Sequence, residues 1–189
     1  MNLLQPIKSF FFTLCILACL TSCTKDDINA DDNLSAVSVK LRSSIGELDK
    51  VYIEIEDVQL RVKDNDNTSN AWLSLNAINK GTYNVYDLTE DAELLLVDDF
   101  EIESGYIYEI RLVLGDNNFI DLEDTLHSLD VSDFGNAMPS NVLRTELVKH
   151  RFYDFVIEID IDESVSFNED ENMMVLNPKI YTEIRQIQY

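Results

Sequence analysis

A cysteine at position 23 ends a greasy run and is followed at once by charge, in the stretch ACLTSCTKDD at 18–27. A thiol so placed is a core group, a metal ligand or a nucleophile that accepts a covalent group. Oxygen ligands recur at alternate positions in KDNDNTSNAW, where Asp64, Asp66, Thr68 and Asn70 are of the types that hold calcium. That loop lacks the central glycine and the closing glutamate of a helix–loop–helix calcium site. Two solvated hairpin tips, here and at NEDENM (168–173), therefore account for these acids better than a bound ion does. Paired carboxylates can hydrolyse glycosides at separations of about 5 to 10 Å, and Asp160 and Asp162 fall on one face of a predicted strand. With 36 acidic residues such pairs arise by chance, and solvation explains this one. His127, Ser128 and Asp130 have the residue types of a nucleophilic triad. A triad also needs a strained turn to present its nucleophile, and no G-x-S-x-G stretch supplies one. His150 stands between Lys149 and Arg151 in a predicted turn. With two histidines, a zinc site would need acids to complete it. The five glycines do not cluster, so no loop is built to cradle phosphate. The sequence thus points away from an enzyme, with a glycoside-active one as the remaining enzymatic alternative.

The surroundings of Cys23 decide among its roles. Residues 1–22, MNLLQPIKSFFFTLCILACLTS, hold one charge, Lys8, then an apolar run from Phe10 to Leu20 and a small polar exit. This is the layout of a cleaved signal peptide, and the run is short of the about 20 residues that span a bilayer. Leu20-Thr21-Ser22-Cys23 resembles the lipobox of bacterial lipoproteins. The resemblance implies that the Cys23 thiol takes a diacylglycerol, that the chain is cut before it, and that its new amine is acylated. Each buried methylene adds about 0.8 kcal/mol of membrane affinity, and more than one acyl chain is needed for stable anchoring. Cys15 and Cys19 would leave with the signal, so the remaining domain has no thiol for a disulfide or a metal. Residues 23–33 then read as a flexible tether, whose polar stretch reaches on the order of 17 Å. Lys25-Asp26-Asp27 resembles the export signal of Bacteroidota lipoproteins, which implies an outer-membrane protein on the cell surface rather than on the periplasmic face.

The elements that must position any site come next. From Ser35 onward the apolar residues recur every second position, the mark of sheets with one wet face. Val37, Val39 and Leu41 alternate with polar neighbours, as do Val51, Ile53 and Ile55. Val58, Leu60 and Val62 then change phase, which predicts a bulge near Glu56-Asp57 or a strand that crosses between sheets. YIYEIRLVL places Tyr106, Tyr108, Ile110, Leu112 and Leu114 on one face, and FYDFVIEIDIDESV is predicted as one strand. Trp72, Tyr83, Tyr86, Tyr106 and Tyr108 are read as core and cross-strand partners rather than as a glycan or peptide surface. The one helical piece predicted is DLTEDAELLLV, with Asp87 and Glu90 as its cap. The prediction is an all-β chain: a single antiparallel β-sandwich over 34–189 with at most one short helix.

The net charge of −22 repels phosphate backbones, so nucleic acid is excluded as a partner. It suits solubility, and it leaves calcium-assisted glycan binding or adhesion open as an alternative to a plain binding or structural role.

The ordered stretches VYIEIEDVQL, WLSL, GTYNVYDL, IESGYIYEIRLVLGDNN, PSNVLRTEL, DFVIEIDIDESV and LNPKIYTEI resemble the domain of unknown function 4382, over roughly Leu34 to Glu183. That family usually carries a glycine after the Pro-Ser pair, where this chain reads Asn141-Val142-Leu143-Arg144. The resemblance implies a transthyretin- or immunoglobulin-like sandwich and brings no catalytic residues. The partners expected are the membrane, through the lipid, and a glycan or protein still to be identified.

Overall fold

The computed structural model describes residues 33–187 except 45, 49, 67 and 69. Cys23, the signal peptide (1–22) and the tether apart from Asn33 lie outside the described residues. Among the described residues there are thirteen strands: β1 (Leu34–Ser43), β2 (Val51–Arg61), β3 (Trp72–Ser74), β4 (Gly81–Asn84), β5 (Leu94–Glu103), β6 (Gly105–Leu114), β7 (Phe119–Leu122), β8 (Thr125–Asp130), β9 (Ser140–Leu147), β10 (Phe152–Asp160), β11 (Val165–Asn168), β12 (Met173–Leu176) and β13 (Lys179–Ile187). One sheet runs β13-β10-β1-β5, and the other β11-β12-β8-β7-β2-β6-β9, with β3 and β4 also paired to β2.

The alternation read from the sequence is what joins the sheets. Val37, Val39 and Leu41 of β1 and Phe155, Ile157 and Ile159 of β10 are buried in one cluster with Ile53, Ile55, Val58 and Leu60 of β2 and Ile110 and Leu112 of β6. The bulge in β2 lies where the phase changes, between Ile55 and Asp57, and β2 stays in one sheet throughout. The register shift in β6, between Ile107 and Glu109, was not visible in the sequence. It puts Ile107 inside and leaves Tyr106 exposed, so the two tyrosines do not share a face with Ile110, Leu112 and Leu114 as expected.

Most strand pairs are antiparallel, but β1 pairs with β10 in parallel, and β12 with β8. Parallel neighbours need a long crossover. For β1 and β10 that crossover includes most of the larger sheet, so side-chain alternation could not reveal it. The helix expected at 87–97 is instead a 3-10 turn, Val85–Asp87, followed by β5. A run of three leucines and a valine suits a buried strand as well as a helix, and pairing with β1 decides for the strand. The short helix, α1 (Ile161–Ser164), sits where the β10 strand was expected to continue, and Asp160 caps it by accepting from the Glu163 amide at 3.2 Å. Among the described residues no helix is long and apolar enough to cross a membrane.

Candidate functional site

The residues singled out by type are dispersed. Asp64, Asp66, Thr68 and Asn70 lie in the exposed connection from β2 to β3. There the Thr68 hydroxyl donates to the Asn65 carbonyl, and Arg61 Nη1 donates to the Asp64 carbonyl at 2.6 Å. Among the described residues no three of His, Cys, Asp and Glu are grouped to hold a metal. Asp160 and Asp162 do not share a strand face. Asp160 caps α1, and Asp162 accepts the amides of Glu47 and Leu48, which ties the β1–β2 connection to α1. His150 lies in the turn from β9 to β10, where its amide donates to the Leu34 carbonyl.

The aromatic residues divide: Tyr83 packs against the core cluster and Tyr108 is half-buried beneath the Arg61 guanidinium, and the others differ from their expected burial. Tyr86 and Tyr106 are exposed, and Trp72 is half-buried on the outer face of the larger sheet. The Arg111 guanidinium stacks on the Trp72 ring 3.8 Å from its centroid, held there by two hydrogen bonds to Gln59 Oε1. One face of the indole is therefore taken by the protein's own cation.

The β7–β8 hairpin borders an open groove. Buried Asn118 holds its base, accepting the Glu54 amide at 2.9 Å and donating to the Gly115 carbonyl at 2.6 Å. Glu123 and Asp124 close the hairpin, both with positive φ (52° and 62°), which is the two-residue turn that matches strand twist. An open groove of about 800 Å³ runs along the far side of β8. Leu122, Leu126 and His127 line it from this hairpin, and Phe167, Met173 and Met174 from the β11–β12 hairpin. Leu126 is 67% exposed and Phe167 54%. Asn168 Oδ1 shapes the tip of the second hairpin by accepting the amides of Asp170 and Glu171.

His127 and Asp130 both line this groove but form no catalytic arrangement. Along a strand, successive side chains take opposite faces, so His127 points away from Ser128 and Asp130. The Asp130 carboxylate is turned into its own loop, where it accepts the amides of Phe134 (2.8 Å) and Asp133 (3.2 Å) and the Ser132 hydroxyl (3.1 Å). These hydrogen bonds, the Phe134 amide first, hold its pKa below the ordinary carboxylate range. A depressed folded pKa stabilises the fold above the unfolded value near 4, and this contribution is lost as pH falls through the folded value. Asp130→Asn is expected to be less stable than wild type at neutral pH and to lose less stability on acidification. Urea midpoints measured from neutral pH down to about pH 2 check this. Parallel curves for the two proteins would refute it.

The apolar residues of the groove were not singled out from sequence. Their signal was a leucine on each side of a charged turn, Leu122-Glu123-Asp124-Thr125-Leu126, in strands too short to show a period.

No curated protein and no solved structure matches the chain. The profile of one family, described as a domain of unknown function (DUF4382), matches residues 35–178. That span runs from β1 to the start of β13 and takes in both hairpins of the groove. It covers most of the chain, and the chain belongs to the DUF4382 family.

Proposed function

We propose that this chain is a lipid-anchored, non-enzymatic binding module of a Bacteroidota outer membrane, displayed at the cell surface. The observation that carries the reading is Cys23 itself: it follows a signal-like apolar run and is the last cysteine in the sequence. Acylation there holds the protein to the membrane, and the acidic stretch that follows spaces the sandwich from it. The binding role is supported by the groove between the β7–β8 and β11–β12 hairpins, an exposed apolar surface on an otherwise acidic protein. Its only histidine faces away from Asp130, which leaves the site without a positioned acid–base pair.

The test is detergent phase partition of the full chain from expressing cells. Wild type is expected almost wholly in the detergent phase, and Cys23→Ala almost wholly in the aqueous phase or retained as an uncleaved precursor. A processed Cys23→Ala protein that still enters the detergent phase overturns the anchor. Protease shaving of the same cells is expected to remove the domain while periplasmic proteins survive; full protection would place it on the inner side.

A further inference from the structure

β8 is hydrogen-bonded along only part of its outer edge. On one side it pairs with β7 over its first four residues, Thr125 to Ser128. On the other it pairs with β12 only at Leu129 and Asp130. In a two-residue hairpin the residues flanking the turn form a hydrogen-bonded pair, so Thr125 and His127 direct their backbone groups toward β7. The Leu129 amide keeps this alternation, donating to the Asn118 carbonyl on the same side. Leu126 therefore directs both N–H and C=O away from β7, into the groove, and Ser128 directs its N–H there, while the Ser128 carbonyl faces β12, whose parallel pairing at Leu129 uses it. Four residues of strand span about 13 Å, room for one short added strand next to the tip of the β11–β12 hairpin.

Two other edges are less open to pairing. The outer edges of β5 and β9 are interrupted by Asp99 and Arg144 at positive φ (43° and 50°), and such irregularities protect edges. Between Thr125 and Ser128 there is no positive φ, no proline and no lysine. The edge is flanked instead by Leu126, Phe167 and Met173, which would meet alternate side chains of an incoming strand.

Charge selects the occupant. Asp116 and Asp130 line the groove, Glu123 and Asp124 form the tip of one bordering hairpin, and Glu169, Asp170 and Glu171 lie in the tip of the other. Among the described residues no lysine or arginine lines it. Lys50, the cation near the first tip, is bound to Asp121 at 3.0 Å and Asp124 at 3.4 Å. A second copy of the chain would bring the same acids against these, and the protein's net charge of −22 opposes that pairing.

We propose that the free edge of β8 receives an extended segment of a partner protein, alternating apolar with lysine or arginine, as an added strand. Its backbone pairs with the N–H and C=O of Leu126 and with the Ser128 amide, its apolar side chains pack on Leu126, Phe167 and Met173, and its cations face the acidic hairpin tips. The proposal rests on the binding-module reading but not on the anchor, so its failure would leave the Cys23 partition result unchanged.

The probe is a short peptide of alternating lysine and valine, titrated into the purified full chain in detergent and followed by fluorescence anisotropy and amide hydrogen exchange. A counterpart N-methylated at every second residue keeps the side chains and loses the pairing N–H groups. Saturable binding is expected, weaker by about tenfold for the N-methylated peptide and for Leu126→Asp, a loss of about 1.4 kcal/mol. In the wild-type chain the Leu126 and Ser128 amides are expected to gain protection. Equal binding of both peptides, or binding with no protection at these amides, would show charge attraction alone and overturn the proposal. So would absence of binding, or self-association of the chain protecting the same amides.

Discussion

Phe155→Ala is expected to move the urea midpoint far toward zero, through a loss of about 3 to 5 kcal/mol. Phe155 lies in β10 between Val39 of β1 and Ile184 of β13 and is fully buried among both sheets' inner residues. Truncation removes the transfer energy of the ring and leaves a cavity that the flanking strands, fixed by their hydrogen bonds, fill only in part. A domain of this size has about 5 to 15 kcal/mol in all, so the variant should be near its unfolding limit at 37 °C. The single tryptophan, Trp72, lies in the other sheet and provides the readout. Its fluorescence and far-UV circular dichroism should shift together, with an unchanged denaturant slope. Phe167→Ala is the comparison: its ring is more than half exposed, and its midpoint should stay close to wild type. Equal midpoints for the two variants would mean that the sandwich core is not where stability resides.

Gly135→Ala is the second large effect, expected at about 1 to 3 kcal/mol from overpacking. A Cβ at this position would stand 2.7 Å from the Val131 Cα and closer still to the carbonyl oxygens of Asp130 and Leu176. All three are backbone atoms, so no side-chain rotation relieves the clash. The same approach lets the Asn136 amide donate to the Leu176 carbonyl at 3.1 Å. Substitution must therefore part the loop after β8 from the end of β12, where the parallel pair β8–β12 is only two residues long. Gly46→Ala is the informative control. The three atoms nearest its Cβ all belong to the Asp162 side chain, which can turn aside at the cost of its hydrogen bonds to the Glu47 and Leu48 amides. A smaller loss is expected there, and thermal melts of the two variants should differ in that order. A Gly135→Ala protein that melts with wild type would refute the packing at this junction.

Apart from β5, the long strands were legible because their chemistry is local. In β1, β2, β9 and β10, one face meets apolar neighbours and the other water, and period-two alternation records that directly. The β2 bulge was legible for the same reason, since an extra residue inverts the pattern after it. The β6 shift was hidden because tyrosine suits either face, with a ring to bury and a hydroxyl to hydrate. The strands β7, β8 and β11 went unread: they are four to six residues long, and β8 is exposed on both faces over most of its length. The turn joining β7 and β8 uses Glu123 and Asp124 at positive φ rather than the glycine or asparagine that would signal it. These unread elements build the groove together with β12, whose MMVL stretch does read as a strand.

The all-β class, the buried alternate residues of β1, β2 and β10 and the strong net negative charge could be read from the residues alone, as could the expectation of a lipid at Cys23. Each follows from composition or from neighbours a few residues apart. Only the tertiary structure decided which strands run parallel, which acids are used up in caps and turns, and where a strand edge is left unpaired. Asp130 and Asp162 look alike as sequence, yet one organises the loop after β8 and the other fastens the β1–β2 connection to α1. The groove exists because β8 extends beyond the β11–β12 hairpin beside it, a difference in reach between segments some forty residues apart. Hydrogen-bond pairing at that separation is fixed by the packing of the whole sandwich, and no local pattern encodes it.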